Sequence, residues 1–473
     1  MSTHASEERP LGARATLLVA LSAALVYANA LPNEFVWDDI QMIRDNEFLR
    51  DSRNLTRAFT LPYWDSAVPD ANQYEYRPLL FASFVANHAA GGLRPWAFRG
   101  VNVALHAASA VVVAVLAAEL GVGTAAAALA GLVFAVHPVH VEAVVWIVGR
   151  GELAAALFVL LGLVARARSD RGRRRALVFA SWASLLVGML FKESGGVLVP
   201  MVAAFVLAVE TAGQPARTRL ARVVGATLPY VAVVALYVAV RRAAIGAAPA
   251  FRDDVFFAGV GPLDVFLTMI KVTVHYARLL LAPVGLRAHY DVVDVPVPTS
   301  LADPVLLAGI AMHAVALALV ARGLWRGSRL ALAGALLYAG LLPYLHLIPF
   351  QWLMADRFLY VPSVGFALLA GEALAGLAPL AARWSGALPA RIAATSVAVV
   401  VLGAGAALAI DRNRDWADEI TFFGLMVQQE PTLVGARIAY AKALSEANRD
   451  EEATRERTIA LQLQGLAPPP PAR

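Results

Sequence analysis

The sequence predicts an all-α, polytopic membrane protein with about eleven spanning helices, and three observations carry that prediction. The first is composition: of 473 residues, 59% are hydrophobic and only 16% charged, with mean hydropathy +0.62. A soluble domain carries about 25% charged residues. The second is where charge is missing. Ala15–Asn33, Gly100–Ala118, Ala176–Phe191, Val223–Val240, Pro304–Ala321 and Ile392–Ile410 are runs of 16 to 19 residues without Asp, Glu, Lys or Arg, and Leu330–Ala355 is longer. A helix needs about 20 apolar residues to cross about 30 Å of hydrocarbon. Buried helices of a soluble core would keep a polar face, which these runs lack. The third is that basic residues sit in short loops between the runs, as topology signals do.

Each element follows in order. Arg9 and Arg14 precede the first run, which puts the N-terminus in the cytoplasm and makes Ala15–Asn33 an uncleaved first span. Residues 31–98 are then outside, in a polar, acidic and aromatic loop. Spans two to four cover about 100–118, 123–141 and 151–165. Arg166, Arg168, Arg171, Arg173, Arg174 and Arg175 form the strongest inside signal. Spans five and six flank an outer turn at Lys192–Gly196, and Arg217, Arg219 and Arg222 precede span seven at Val223–Val240. Leu263–Leu281 is apolar but holds Asp264, Lys271, His275 and Arg278. Central charges cost roughly 2.5–3.5 kcal/mol each on insertion. An outer amphipathic or re-entrant helix avoids that cost and keeps Arg322, Arg326 and Arg329 inside. The last spans are about 304–321, 330–348, 358–378 and 392–410, which leaves the C-terminus outside. Three lysines against 37 arginines indicate GC-rich coding, so the expected location is the cytoplasmic (inner) membrane of a bacterium.

The membrane part thus covers 1–410, and 411–473 is a charged external segment. Thr432–Ala447 and Asp450–Gln464 read as one helix–turn–helix of tetratricopeptide size, followed by the Pro468–Pro471 tail. A solenoid needs about three such repeats.

The absence of cysteine excludes disulfides and thiol nucleophiles. The net charge of +5 is distributed as loop topology signals, so nucleic acid is not an expected partner. Ionisable residues near membrane depth are expensive and therefore functional candidates. With this topology they collect on the outer side. Trp37-Asp38-Asp39 offers two carboxylates that can act as general base, metal ligand or anchor, or be plain loop acids. In Tyr74-Glu75-Tyr76-Arg77-Pro78, Arg77 can contact a phosphate or simply open a helix. His137, His140 and Glu142, followed by Trp146, Arg150 and Glu152, invite a metal reading. Pro138 disturbs that helix and no third ligand is specified, so substrate contact or structural hydrogen bonding is preferred and no divalent metal is expected. Lys192-Glu193 is either an ion pair or a phosphate site. Asp356-Arg357 with Tyr360 suits a phosphate at headgroup level, or an interfacial belt. His289-Tyr290-Asp291 and Asp294 add a weaker acidic patch. A lipid-linked sugar needs such a face: cations for its phosphate, rings for its sugar or isoprenoid, and a carboxylate for the acceptor hydroxyl. A transporter would place its ionisable groups near mid-membrane.

Phe35-Val36-Trp37-Asp38-Asp39, Tyr76-Arg77-Pro78-Leu79, His137-Pro138-Val139-His140-Val141-Glu142-Ala143-Val144 with Gly149-Arg150, Phe191-Lys192-Glu193, Asp356 to Ser363 and Arg412-Asn413-Arg414-Asp415-Trp416 occur in this order. The ordered set resembles the transmembrane and tetratricopeptide-repeat O-mannosyltransferases. These are GT-C-type glycosyltransferases, more distantly similar to the protein O-mannosyltransferases, and the resemblance covers about 31–430. The expected eleven spans agree with those relatives. The resemblance implies inverting transfer of a sugar, mannose first, from a polyprenyl-phosphate donor, with no other cofactor. It implies that Asp38 or Asp39 is the catalytic base, with a slight preference for Asp39. It gives Arg150, Glu152, Lys192 and Arg357 as donor or phosphate contacts, beside Arg77, which the residues themselves suggest. Trp37, Tyr76, His137, His140, Glu142, Glu193, Asp356 and Tyr360 would contact substrate. One departure bears on the acceptor: the family carries many C-terminal repeats, and this chain has about one. The acceptor can be a protein hydroxyl, with a partner protein docking at 411–473, or a glycan or lipid. A lipid-linked glycan transporter or flippase, and a non-catalytic scaffold docking a partner through the C-terminal helices, are the competing expectations.

Overall fold

The computed structural model describes residues 11–67, 75–172, 174–246, 257, 259–291, 294–348 and 352–466. Arg9, Tyr74, Arg173 and the Pro468–Pro471 tail lie outside the described residues, as do the side chains of Arg171 and its neighbours. Among the described residues every regular element is a helix. The longer ones are α1 (Ala13–Val26), α2 (Pro78–Gly91), α3 (Pro95–Glu119), α4 (Thr124–Val136), α5 (Arg150–Gly172), α6 (Arg175–Phe191), α7 (Leu198–Phe205), α8 (Ala216–Ile245), α9 (Pro262–Leu281), α10 (Pro304–Trp325), α11 (Arg329–Leu341), α12 (Pro362–Ser385), α13 (Ala387–Arg412), α14 (Glu419–Gln429), α15 (Val434–Glu446) and α16 (Asp450–Leu463).

The chain is an integral membrane protein. Eight helical stretches are long and apolar enough to cross a bilayer: Ala13–Ala30, Pro95–Glu119, Ile147–Ser169, Glu193–Glu210, Ala216–Ile245, Pro304–Trp325, Pro362–Ser385 and Ala387–Trp416. A ninth, Thr124–Val136 with Pro138–Val145, is bent by 50°. Pro138 supplies the physical reason, since it cannot continue the hydrogen-bond ladder. The two remaining expected spans coincide with shorter apolar helices, Arg175–Phe191 and Arg329–Tyr344. Apolar side chains on the outer helices face outward, for example Leu228 on α8 and Val399 on α13, both more than three-fifths exposed. Only lipid makes that stable. Ile147–Ser169, by contrast, runs through the centre of the bundle and is 83% buried.

The charged α9 packs against α10. Lys271, midway along α9, donates to Asp303 Oδ2 at the cap of α10 at 2.8 Å, while Thr273 meets His313 and Ile270 and Val274 lie against Gly309. Asp303 also accepts from the Val305 and Leu306 N–H groups, which caps α10.

The two ends of the bundle differ. At one, arginines tie helix ends together: Arg166 to Glu210, Arg168 to Glu119, and Arg219 to the Leu324 and Trp325 carbonyls. The other end gathers the 31–77 loop, the bend at 137–150, the turns at 192–197 and 352–361, and α14 to α16.

Candidate functional site

Three polar side chains inside the apolar bundle position this end. Arg99, on α3, donates to the carbonyls of Val145 (2.9 Å), Asn33 (2.6 Å) and Glu34 (2.9 Å). Asn102, one turn on, donates to the carbonyls of Val144, Trp146 and Ile147 and accepts from Arg150 Nε at 3.0 Å. Unpaired carbonyls cannot be left in a dry bundle, so these contacts are what permit the irregular 141–149 turn. Arg150 spends its remaining donors on Ser83, Asn87 and the Phe98 carbonyl. It is a buried post joining α2, α3 and α5.

The 33–34 anchor delivers Trp37-Asp38-Asp39 to the same turn. Asp39 is fully buried, and its carboxylate accepts from the Ile147 N–H at 3.3 Å and the Val148 N–H at 3.0 Å. Asp38 is half-buried and lines an open cleft of about 420 Å³ with Trp37, His289, Trp352, Phe423 and Lys442. Burial pushes both carboxyls up to about 7. For Asp38 the neighbouring Asp39 charge adds to the rise and Arg357 opposes it. For Asp39 the Arg99 charge and the backbone N–H groups oppose it. Asp39 is thus held by backbone, whereas Asp38 faces the cleft. Trp37 has a left-handed backbone (φ 60), a strain of about 1–3 kcal/mol for a non-glycine residue. Packing holds it there. Its ring stacks on Trp146 at 5.0 Å and meets Trp352 and Phe422 edges and faces at 5.6 Å.

Behind Asp38 lie three cations. Arg357 pairs with Glu142, both through its guanidinium and through its backbone N–H at 2.9 Å, and sits among Trp146, Trp352 and Phe358. Lys192 pairs with Glu152, whose other oxygen accepts from Tyr344. Arg77 bridges Glu75 (2.8 Å) and Glu193 (3.1 Å). Burial lowers the Lys192 pKa, Glu152 resists, and the charges of Arg77 and Arg357 add to the lowering. The three cations thus share one field. Asp356 accepts from Tyr290 and lies 3.8 Å from Arg412; burial pushes it up to about 7, against the pull of Arg412.

Four of the expected substrate contacts make internal hydrogen bonds, which for the two histidines is one of the two readings preferred from sequence. His137 donates to the Leu280 carbonyl at 3.0 Å. His140 bridges the Phe134 carbonyl and Ser363 Oγ. The Tyr360 hydroxyl meets His106, and the Tyr76 hydroxyl donates to the Phe59 carbonyl at 3.0 Å. All four are buried. Glu142 and Glu193 reach the site only through the arginines they pair with. Sequence reasoning missed Arg99, Asn102 and Tyr344. The signal for the first two was available, as polar residues at the head of an otherwise apolar run.

The C-terminal segment closes the cleft. The Asn33 amide donates to the Asn413 carbonyl, and the Glu34 N–H to the Ala417 carbonyl. Trp416 and Phe422 pack under Trp37, and α14 and α15 form the far wall.

No family model matches the chain. Protein O-mannosyl-transferase TMTC2 of Mus musculus is 37% identical over 193 residues, 39% of this chain and 23% of that protein. Protein O-mannosyl-transferase TMTC3 of Homo sapiens is 32% identical over 185 residues, 38% of this chain and 20% of that protein. Over about two-fifths of its length the chain is thus homologous to these proteins, and the match spans less than a quarter of theirs. Among solved structures, an Archaeoglobus fulgidus oligosaccharyltransferase tethered to an acceptor peptide superposes over 88% of this chain and 57% of that chain, with TM-score 0.48 and 14% identity.

Proposed function

We propose that this membrane protein is a GT-C-type glycosyltransferase that moves mannose, by inversion, from a polyprenyl-phosphate donor to an acceptor hydroxyl of a protein or glycan. One observation carries the reading: a half-buried carboxylate with a pKa near 7, Asp38, stands at an open aromatic cleft with Arg357 behind it. A base works best with a pKa near the working pH. Asp38 takes the acceptor proton as the hydroxyl oxygen attacks the anomeric carbon, and the bond to the phosphate breaks on the opposite side. The released phosphate needs positive charge. Arg357 has five N–H donors and Lys192 three, so their pairing with Glu142 and Glu152 leaves donors to turn toward it. Two further features fit. Trp37, Trp352 and Trp146 offer faces for a sugar ring. A groove of about 530 Å³ lined by Tyr276, Leu280, Met312, Leu337 and Leu359 is almost wholly apolar, as an isoprenoid chain requires. Its Tyr276 accepts from the Ala355 N–H, next to Asp356 and Arg357. We place this face outside a bacterial inner membrane, with the arginine-rich end in the cytoplasm. The test is incubation of the purified protein with labelled polyprenyl-phosphate mannose and a Ser/Thr-containing peptide. A glycosidic product supports the reading. Flux of the lipid across vesicles with no product points to a transporter instead.

A further inference from the structure

One cluster beside the cleft takes no part in that chemistry. His289 and Asp291, in the loop after α9, come together with Glu430, the residue that follows α14. One donor atom from each lies within 4.8 Å of the others, and His289 Nε2 is 3.7 Å from Glu430 Oε2. That gap is too long for a hydrogen bond. It is close to the roughly 3.4 Å that separates two donors each about 2.1 Å from one tetrahedral metal ion. Glu430 is only 9% exposed, and its Oε1 has no hydrogen-bond partner. A buried carboxylate oxygen without a donor is costly. Glu430 also shares a hydrogen bond with the Asp294 side chain, and the charges of Asp294 and Asp291 face it. Arg287, the cation in that loop, is already engaged by Asp294. Asp294 in turn accepts from the Asp291 N–H at 3.2 Å, and a carboxylate oxygen of Asp291 lies within 4.8 Å of Glu430. Two elements far apart in sequence therefore present an imidazole and two carboxylates to one point, with a third carboxylate, Asp294, beside them.

We propose that His289, Asp291 and Glu430 bind one divalent cation of the Zn²⁺ or Mn²⁺ type, which clamps the C-terminal segment onto the loop after α9. One nitrogen and two oxygens suit those ions, and three protein ligands leave a position for water. His289 also lines the cleft and lies 5.7 Å from the Trp352 ring. The clamp therefore sets the distance between the Asp38 wall and the α14–α15 wall. It is a positioning site, with no bond made or broken at the ion.

The test uses the full chain, purified without a histidine tag, stripped with chelator and titrated with Zn²⁺ or Mn²⁺ alone. One equivalent should bind saturably, and cleavage of the 411–466 segment by added protease should slow when it does. Glu430→Gln and His289→Ala should each weaken binding at least tenfold. Asp291→Asn, at a half-buried position, serves if either of those fails to fold. Absence of stoichiometric binding by the unaltered protein overturns the proposal, as does unchanged affinity in the variants. Binding and proteolysis are read without sugar transfer, so the result stands apart from the proposed reaction.

Discussion

Arg357 and Glu142, 215 residues apart, are joined twice: the Arg357 backbone N–H donates to one carboxylate oxygen at 2.9 Å and its guanidinium pairs with the other. The contact ties the 356–359 turn to the bend that carries Trp146. Removing one partner of a buried pair leaves an uncompensated charge and costs about 3–5 kcal/mol. Glu142→Ala should therefore lower the melting temperature sharply. The double variant Glu142→Ala with Arg357→Met should lose less than the sum of the two single changes, as a double-mutant cycle of thermal unfolding in detergent will read.

Arg150 gives the opposite expectation from a substrate-binding arginine. Lysine has no planar fork and cannot reach Asn102, Asn87 and the Phe98 carbonyl together. Arg150→Lys should cut the yield of folded protein and its melting temperature. The donor KM of the folded remainder should stay unchanged. A raised donor KM at normal stability would restore it to the phosphate site.

Lys192 should behave as a phosphate contact. A hydrogen bond to a charged group is worth about 1.5–3 kcal/mol, so Lys192→Met should lower kcat/KM for the donor roughly 10- to 100-fold, with Lys192→Arg recovering part of it. The measurement is initial rates at varied donor concentration.

The carboxyls raised to about 7 predict opposite pH trends for rate and stability. Below that value Asp38 is protonated and cannot accept the hydroxyl proton, so the rate should climb tenfold per pH unit and level off above about 7. Asp38, Asp39 and Asp356 bind protons in the folded protein between about 4 and 7, where the unfolded chain has released them. Stability must then fall as pH rises through that window. Melting curves in detergent from pH 5 to 8 check the sign.

The helices were legible because their signal is local: a run without charge reads the same in the chain and in the bundle. The bend at Pro138 was legible for the same reason, through its proline. The division between Asp38 and Asp39 was not. It depends on where the Ile147 and Val148 N–H groups point, and those are set by Asn102 and Arg99 on another helix. The histidines could not be divided between substrate contact and structural hydrogen bonding for a related reason. Their partners, Leu280 and Ser363, lie far along the chain, and an imidazole satisfied by them looks in sequence like one waiting for a ligand.

The central claim is that Asp38, rather than Asp39, removes the acceptor proton. It is tested most directly by single-turnover transfer of labelled mannose from polyprenyl phosphate to a peptide hydroxyl, in the unaltered protein, Asp38→Asn and Asp39→Asn, each normalised to folded protein. Loss of a general base costs about 10²–10⁴ in rate. Asp38→Asn should show that loss with donor binding retained, and Asp39→Asn should show chiefly a lower melting temperature. A full rate in Asp38→Asn, with the loss confined to Asp39→Asn, would contradict the assignment.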